Sequence, residues 1–272
     1  MKVDLFSIGP VTIHGYGLMI WIGVLCCVYM GTVRAKKYGL IEDAVLDIAM
    51  IGLVAGFVGA KLLYILVEWR TFLKAPLDVL LWGYGWVVYG GISAGVVSAI
   101  IYCKIRRYRF LEYFDLVAPC ISLAQAFGRI GCFLAGCCYG RETQSFLGVV
   151  FPEGALAPVG VSLLPTQLFS SAGNFVIMFV LLWHYKHRKR SGDTGFLYML
   201  LYGVGRFGIE FLRDDSRGAV GIFSTSQFIS LFIVTAAILL LLWKGRLSIA
   251  EIEAEKAAAL QESDTQDGEK VL

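Results

Sequence analysis

The sequence predicts an all-α polytopic membrane protein of seven transmembrane helices, with its N-terminus outside and its C-terminus in the cytoplasm. Three observations carry this. Hydrophobic residues make up 57% of the chain and charged residues 17%, with a mean hydropathy of +0.70. Soluble domains have roughly 45–50% apolar and ~25% charged residues. The apolar excess comes in blocks about the length of a bilayer crossing, ~20 residues. Basic residues gather at every second connection between these blocks, as the positive-inside rule requires of a chain that crosses repeatedly.

The expected spans are Tyr16–Val33, Ala44–Val67, Val87–Cys103, Leu116–Leu134, Leu163–Trp183, Thr194–Phe211 and Phe228–Trp243. The first is read as retained, because Met1-Lys2-Val3-Asp4 lacks the basic region and cleavage site of a removed signal peptide. It is followed by Arg34, Lys36 and Lys37, the third span by Lys104, Arg106, Arg107 and Arg109, and the fifth by Lys186, Arg188, Lys189 and Arg190. Lys244 and Arg246 follow the seventh. The other connections are mixed: Glu68 with Arg70, Arg141 with Glu142, and Arg213, Asp214, Asp215 and Arg217. The loop from Tyr139 to Leu164 is the longest outside segment and is expected to form short structure.

Residues 1–247 are read as the membrane domain and 248–272 as a cytoplasmic tail. Ile249 to Leu260 uses good helix formers. Beyond Glu262 the Ser, Asp, Gln and Gly content is that of a disordered segment. The net charge of +3 says little about partners, and none that is a nucleic acid is expected.

Polar residues inside the apolar runs decide where chemistry sits. An arginine costs ~2.5–3.5 kcal/mol at a bilayer centre, so it needs a counter-charge, water or a bound anion. Arg129 lies in the outer part of the fourth span, and Arg206 and Glu210 lie near the outer end of the sixth. The last two are one helical turn apart and share a face. Tyr16 opens the first span from outside, Gln167 the fifth, and Tyr89-Gly90-Gly91 the third. All six polar side chains therefore converge on one side of the membrane. Two arginines from separate spans with few acids nearby point to an anion site. The plainer roles are an Arg206–Glu210 pair, belt tyrosines at span ends and glycines for close helix packing.

Seven cysteines at irregular spacing form no secreted disulfide framework. Cys26 and Cys27 read as lipid-facing or packed small hydrophobes. Cys132, Cys137 and Cys138 follow Arg129 closely. For these a disulfide, a reactive thiol and plain packing all stay open, and three thiols without a histidine are no strong metal signal.

Gly128-Arg129-Ile130-Gly131-x-Phe133-x-x-Gly136-x-x-Tyr139-Gly140 resembles the signature of bacterial prolipoprotein diacylglyceryl transferases. So do Phe114-Asp115-Leu116-Val117-Ala118-Pro119, His14-Gly15-Tyr16-Gly17-Leu18-Met19 and Pro165-Thr166-Gln167-Leu168-Phe169. Tyr202-Gly203-x-Gly205-Arg206-Phe207-x-x-Glu210-Phe211-x-Arg213 and Ser224-Thr225-Ser226-Gln227 complete the set, in family order over about Gly9 to Trp243. The chain departs from that pattern with Tyr89 where a histidine is usual, Cys132 where an asparagine is usual and Cys137 where a glutamate is usual.

The resemblance implies a seven-span enzyme of the bacterial inner membrane. It would move the diacylglyceryl group of phosphatidylglycerol onto the lipobox cysteine of a prolipoprotein signal peptide and release glycerol phosphate, with no metal or cofactor. The expected catalytic set is Arg129, Arg206, Tyr89, Glu210 and Tyr16. The expected binding set is Arg129, Arg206, Gly90, Gly91, Gln167, Cys132, Gly136, Cys137 and Gly140. The alternatives are a non-catalytic anionic-lipid binder, flippase-like in its scaffold, and a lipid transferase with a different acceptor.

Overall fold

The computed structural model describes residues 4–8, 11–80, 85–214, 219–220, 222–243, 245–255 and 258. Lys244, Arg217, Gly83 and the tail from 259 onward therefore lie outside the described residues. A hairpin of β1 (Asp4–Ile8) and β2 (Val11–His14) leads into α1 (Gly15–Lys37). Then come α2 (Glu42–Val67), the short α3 (Trp69–Lys74) and α4 (Pro76–Leu80), α5 (Val88–Ile105) and α6 (Phe110–Ala135). The strands β3 (Val149–Val150) and β4 (Ser162–Leu163) precede α7 (Thr166–His187) and α8 (Asp193–Glu210). The strands β5 (Ala219–Val220) and β6 (Phe223–Ser224) precede α9 (Thr225–Leu242).

A helix stands at each of the expected spans, with ends shifted by a few residues. Among the described residues, six helices are long and apolar enough to cross a membrane: α1, α2, α5, α6, α7 and α9. The remaining expected span is α8, which carries Asp193, Arg206 and Glu210 within its 18 residues and falls outside that class.

The chain divides into two compact units. One comprises residues 30–113 and is built on α2 against α5. Their backbones touch where both sequences are glycine. A Cβ on Gly59 would lie 2.5 Å from Gly90 O, and one on Gly91 would lie 2.8 Å from Gly56 O. Such small-residue contacts bring helices together in lipid, where no hydrophobic drive between them exists. Beside the contact runs an apolar groove lined by Gly52, Phe57, Ala60, Trp86 and Ile92. Lys61 is buried on α2, with its ammonium 4.8 Å from the Trp86 ring centroid. The aromatic face offsets part of that charge's desolvation.

The other unit comprises residues 1–29 and 114–272. Here α6 and α7 are tied by polar side chains in place of apolar contact alone. Ser122 Oγ donates to Asn174 O at 2.8 Å, and Ser171 Oγ donates to Ala126 O at 2.9 Å. Buried hydroxyls in lipid need such partners because water cannot supply them. At the start of α8, Asp115 accepts from Gly192 N and Gly195 N at 2.8 Å each. It thereby satisfies free amides at the positive end of the helix. Arg188 Nε stands 3.6 Å from the same carboxylate. After α9, Arg246 reaches Asp193 Oδ1 at 2.6 Å and Ser191 O at 3.1 Å. This fixes the exit of the chain against the start of α8.

The tail begins as a helix over residues 249–255, opened by reciprocal hydrogen bonds between Ser248 and Glu251. Its Ile252 is buried, which docks this first turn to the unit. The segment from Tyr139 to Leu164 does carry short structure. Val149 pairs with Leu163, and Phe151, Ala157 and Leu163 bury together against Phe133 and Tyr139.

Candidate anion site

Arg129 lies on the last two turns of α6, and Arg206 lies one turn before the end of α8. They line a single cavity of about 150 Å³ with Ser170, Asn174, Tyr202 and Gly205. The two arginines that the sequence reading assigns to one side of the membrane thus line the same cavity.

Arg206 is paired at one terminal nitrogen and unpaired at the other. Its Nη2 donates to Ser226 Oγ at 2.7 Å and stands 2.9 Å from Glu210 Oε2. Both side chains of the ion pair are about nine-tenths buried. Ser224 Oγ donates to Glu210 Oε1 at 3.0 Å and also caps α9 by accepting from Gln227 N. One serine therefore starts α9 and orients the acid that orients Arg206. The opposite nitrogen, Arg206 Nη1, is buried and has no hydrogen-bond partner among the described residues. A buried guanidinium N–H left unpaired is costly, and the cost vanishes when an anion's oxygen accepts from it. The Arg206–Glu210 pair that sequence offered as the plain role is present, yet it occupies only one edge of the fork.

Tyr16 packs its ring edge and backbone over Gly131, where a Cβ would lie 3.1 Å from Tyr16 O. Gln167 is buried at the first turn of α7 and donates from Nε2 to Cys137 O at 2.8 Å. It thus positions the turn after α6. That turn is set by Gly136, at φ 71°, where a side chain would also strike Ala155 Cβ at 2.6 Å. Gly140 N donates to Leu164 O at 2.9 Å, and a Cβ there would lie 2.6 Å from both Leu212 O and Thr166 Cγ2. Gly136 and Gly140 accordingly act as places where chains pass closely. Cys132, on the last helical turn of α6, and Cys137, in the turn that follows it, are both partly buried.

Tyr89, Gly90 and Gly91 lie on the first turn of α5, in the unit of residues 30–113. Within that unit Gly90 and Gly91 pack on α2, and Tyr89 is 40% exposed. The other expected site residues all lie in the unit of residues 1–29 and 114–272, which carries both arginines.

Ser224, Ser226, Tyr202, Ser170 and Asn174 were not among the expected site residues. A signal for some was available. Tyr202 precedes Arg206 by four residues and so shares its face, and Ser170 and Asn174 repeat that spacing on α7. The role of Ser226 depends on how α9 docks on α8, which no local pattern encodes.

A family model described as prolipoprotein diacylglyceryl transferase matches residues 3–243. A phosphatidylglycerol–prolipoprotein diacylglyceryl transferase of Clostridium tetani is 45% identical over 238 residues, covering 88% of this chain and 96% of the relative. A second protein of that name, from Clostridium perfringens, is 44% identical over 241 residues, covering 88% and 94%. A Finegoldia magna protein is 35% identical over 237 residues, covering 86% and 92%.

Proposed function

Because the chain belongs to the prolipoprotein diacylglyceryl transferase family, we propose that it transfers the diacylglyceryl group of phosphatidylglycerol to the lipobox cysteine of a prolipoprotein. The observation that carries this reading is the unpaired, buried Nη1 of Arg206, a residue that lines one cavity with Arg129. A phosphodiester is the anion class that belongs between two guanidiniums facing an apolar environment.

The acceptor thiolate attacks the terminal carbon of the diacylglyceryl unit, forming a C–S bond. The C–O bond to phosphate breaks, and the electron pair leaves with glycerol phosphate. Arg129 and Arg206 bear the charge that grows on the leaving phosphate, where fixed donors act most strongly. Glu210, Ser224 and Ser226 hold Arg206 for that task. Tyr16 and Tyr89 are the candidates to orient thiol or phosphate oxygens. Gly90, Gly91, Gly136 and Gly140, with Gln167, Cys132 and Cys137, complete the proposed binding set.

The same reading has α8 as a seventh crossing, with its Arg206 and Glu210 buried in protein, away from lipid. It places residues 1–247 in the bacterial inner membrane, the N-terminus outside, and residues 248–272 in the cytoplasm. A tag at the C-terminus should be reached only after spheroplasts are permeabilised. The test of the function is incubation of purified protein with phosphatidylglycerol and a lipobox peptide. Mass spectrometry should find one diacylglyceryl thioether per peptide cysteine. Bound lipid without that product would favour the non-catalytic binder instead.

A further inference from the structure

Three thiols stand together at the end of α6. The Sγ atoms of Cys132, Cys137 and Cys138 all lie within 4.8 Å of one another. Their spacing in sequence does not dictate this. Left-handed backbone at Gly136 (φ 71°) and at Cys138 (φ 63°) turns the chain back over the last helical turn. A non-glycine residue in that region persists only where its surroundings over-determine it. Here they do. Thr166 Oγ1 donates to Cys138 O and Gln167 Nε2 to Cys137 O, each at 2.8 Å, while Cys137 N donates to Cys132 O at 3.1 Å.

We infer that Cys132, Cys137 and Cys138 form a three-thiolate site for a thiophilic ion, Zn(II) foremost, with the fourth tetrahedral position open. An all-sulfur donor set selects zinc or copper(I) over magnesium or calcium. With Zn–S of about 2.3 Å, the sulfurs of a tetrahedral site stand roughly 3.8 Å apart. Sulfurs already within 4.8 Å of one another reach that spacing by side-chain adjustment.

The surroundings suit the charge. Three thiolates and a divalent ion leave one net negative charge. The Arg213 guanidinium hydrogen-bonds the Cys138 sulfur. Arg129 stands one helical turn before Cys132.

Three protein ligands with one open position is the pattern of catalytic zinc, whereas closed structural sites use four. The ligand class that fits the open position is a further thiol. On the transfer reading above, on which this step rests, that thiol is the acceptor cysteine. It gives its proton to solvent on binding, and its sulfur then forms the C–S bond as the C–O bond to phosphate breaks.

Co(II) is the probe, added to reduced full-length protein in detergent. Expected are one ion per chain and a sulfur-to-cobalt charge-transfer band. Cys132→Ser, Cys137→Ser and Cys138→Ser should each abolish the band, and Cys26→Ser should keep it. Arg213→Gln, which removes a partner of the Cys138 sulfur, should weaken binding by roughly 10–100-fold. Alkylation of the wild-type chain is independent of how any variant folds. Zn(II) should protect Cys132, Cys137 and Cys138 together and leave Cys26 labelling unchanged. A lipobox cysteine peptide should shift the cobalt spectrum, and its serine counterpart should not.

Absence of the band, survival of the band in any of the three variants, or protection of fewer than three thiols would overturn the site. An indifferent cobalt spectrum on adding the cysteine peptide would overturn the open position. Thioether formed by metal-free protein would remove the ion from the reaction and leave the transfer reading standing. An ion bound without thioether at any metal load would do the reverse.

Discussion

Arg206→Lys keeps the positive charge and removes the fork. In the native chain Arg206 Nη2 serves Ser226 and Glu210, at 2.7 and 2.9 Å, while Nη1 remains for the lipid phosphate. An ammonium has one nitrogen for both duties. It either stays with Glu210 and Ser226, leaving the phosphate without its donor, or turns to the phosphate and leaves a buried carboxylate short of its partner. Removing one preorganised donor from a developing anion costs about 2.7–4 kcal/mol, or ~10²–10³ in turnover. A turnover fall of that size is expected, with the thermal midpoint changed little because the ion pair can re-form. The assay is the rate of diacylglyceryl thioether formation on a lipobox peptide, with melting followed on the same preparation. Turnover within a few-fold of wild type would refute the division of labour between the two nitrogens.

Three further outcomes test other parts of the account. Tyr89→Phe should lower turnover more than it weakens phosphatidylglycerol binding, by ~1–3 kcal/mol if a positioned hydrogen bond is lost, and Tyr89→His should be tolerated; unchanged turnover in the phenylalanine variant would make Tyr89 a belt residue. Gly140→Ala should destabilise the chain by about 1–3 kcal/mol in a denaturation series, since Leu212 O lies 2.6 Å from the new Cβ and backbone cannot yield cheaply. Asp115→Asn should lower stability by ~1–3 kcal/mol while leaving substrate binding intact, because it loses an acceptor for Gly192 N or Gly195 N far from the arginine cavity in sequence and role.

Much of this architecture is legible before any coordinates. Runs of twenty apolar residues can be little else than membrane helices, and α1, α2, α5, α6, α7 and α9 stand where such runs occur. The pairing of Arg206 with Glu210 follows from a four-residue spacing on one helix. Arg129 and Arg206 each lie near the C-terminal end of their helix and line the same cavity. Other features depend on docking between elements. Ser226 matters through the placement of α9 on α8, and Asp115 through contact with a helix start 77 residues away. The gathering of Cys132, Cys137 and Cys138 depends on a left-handed turn at a cysteine, and residue type alone disfavours that conformation. The β1–β2 hairpin carries only four to five residues a strand, too short beside a long apolar run to stand out.

The most direct measurement is a double-mutant cycle on thioether formation, using Arg129→Lys, Arg206→Lys and the pair. If both guanidiniums grip one phosphate, losing the first already forfeits much of what the second can do. The two losses should then fall short of additivity by at least ~1 kcal/mol, within the range found for residues that share a partner. Losses that add to within ~0.3–0.5 kcal/mol, as independent sites do, would mean that Arg129 and Arg206 act on different groups and that no shared anion site exists.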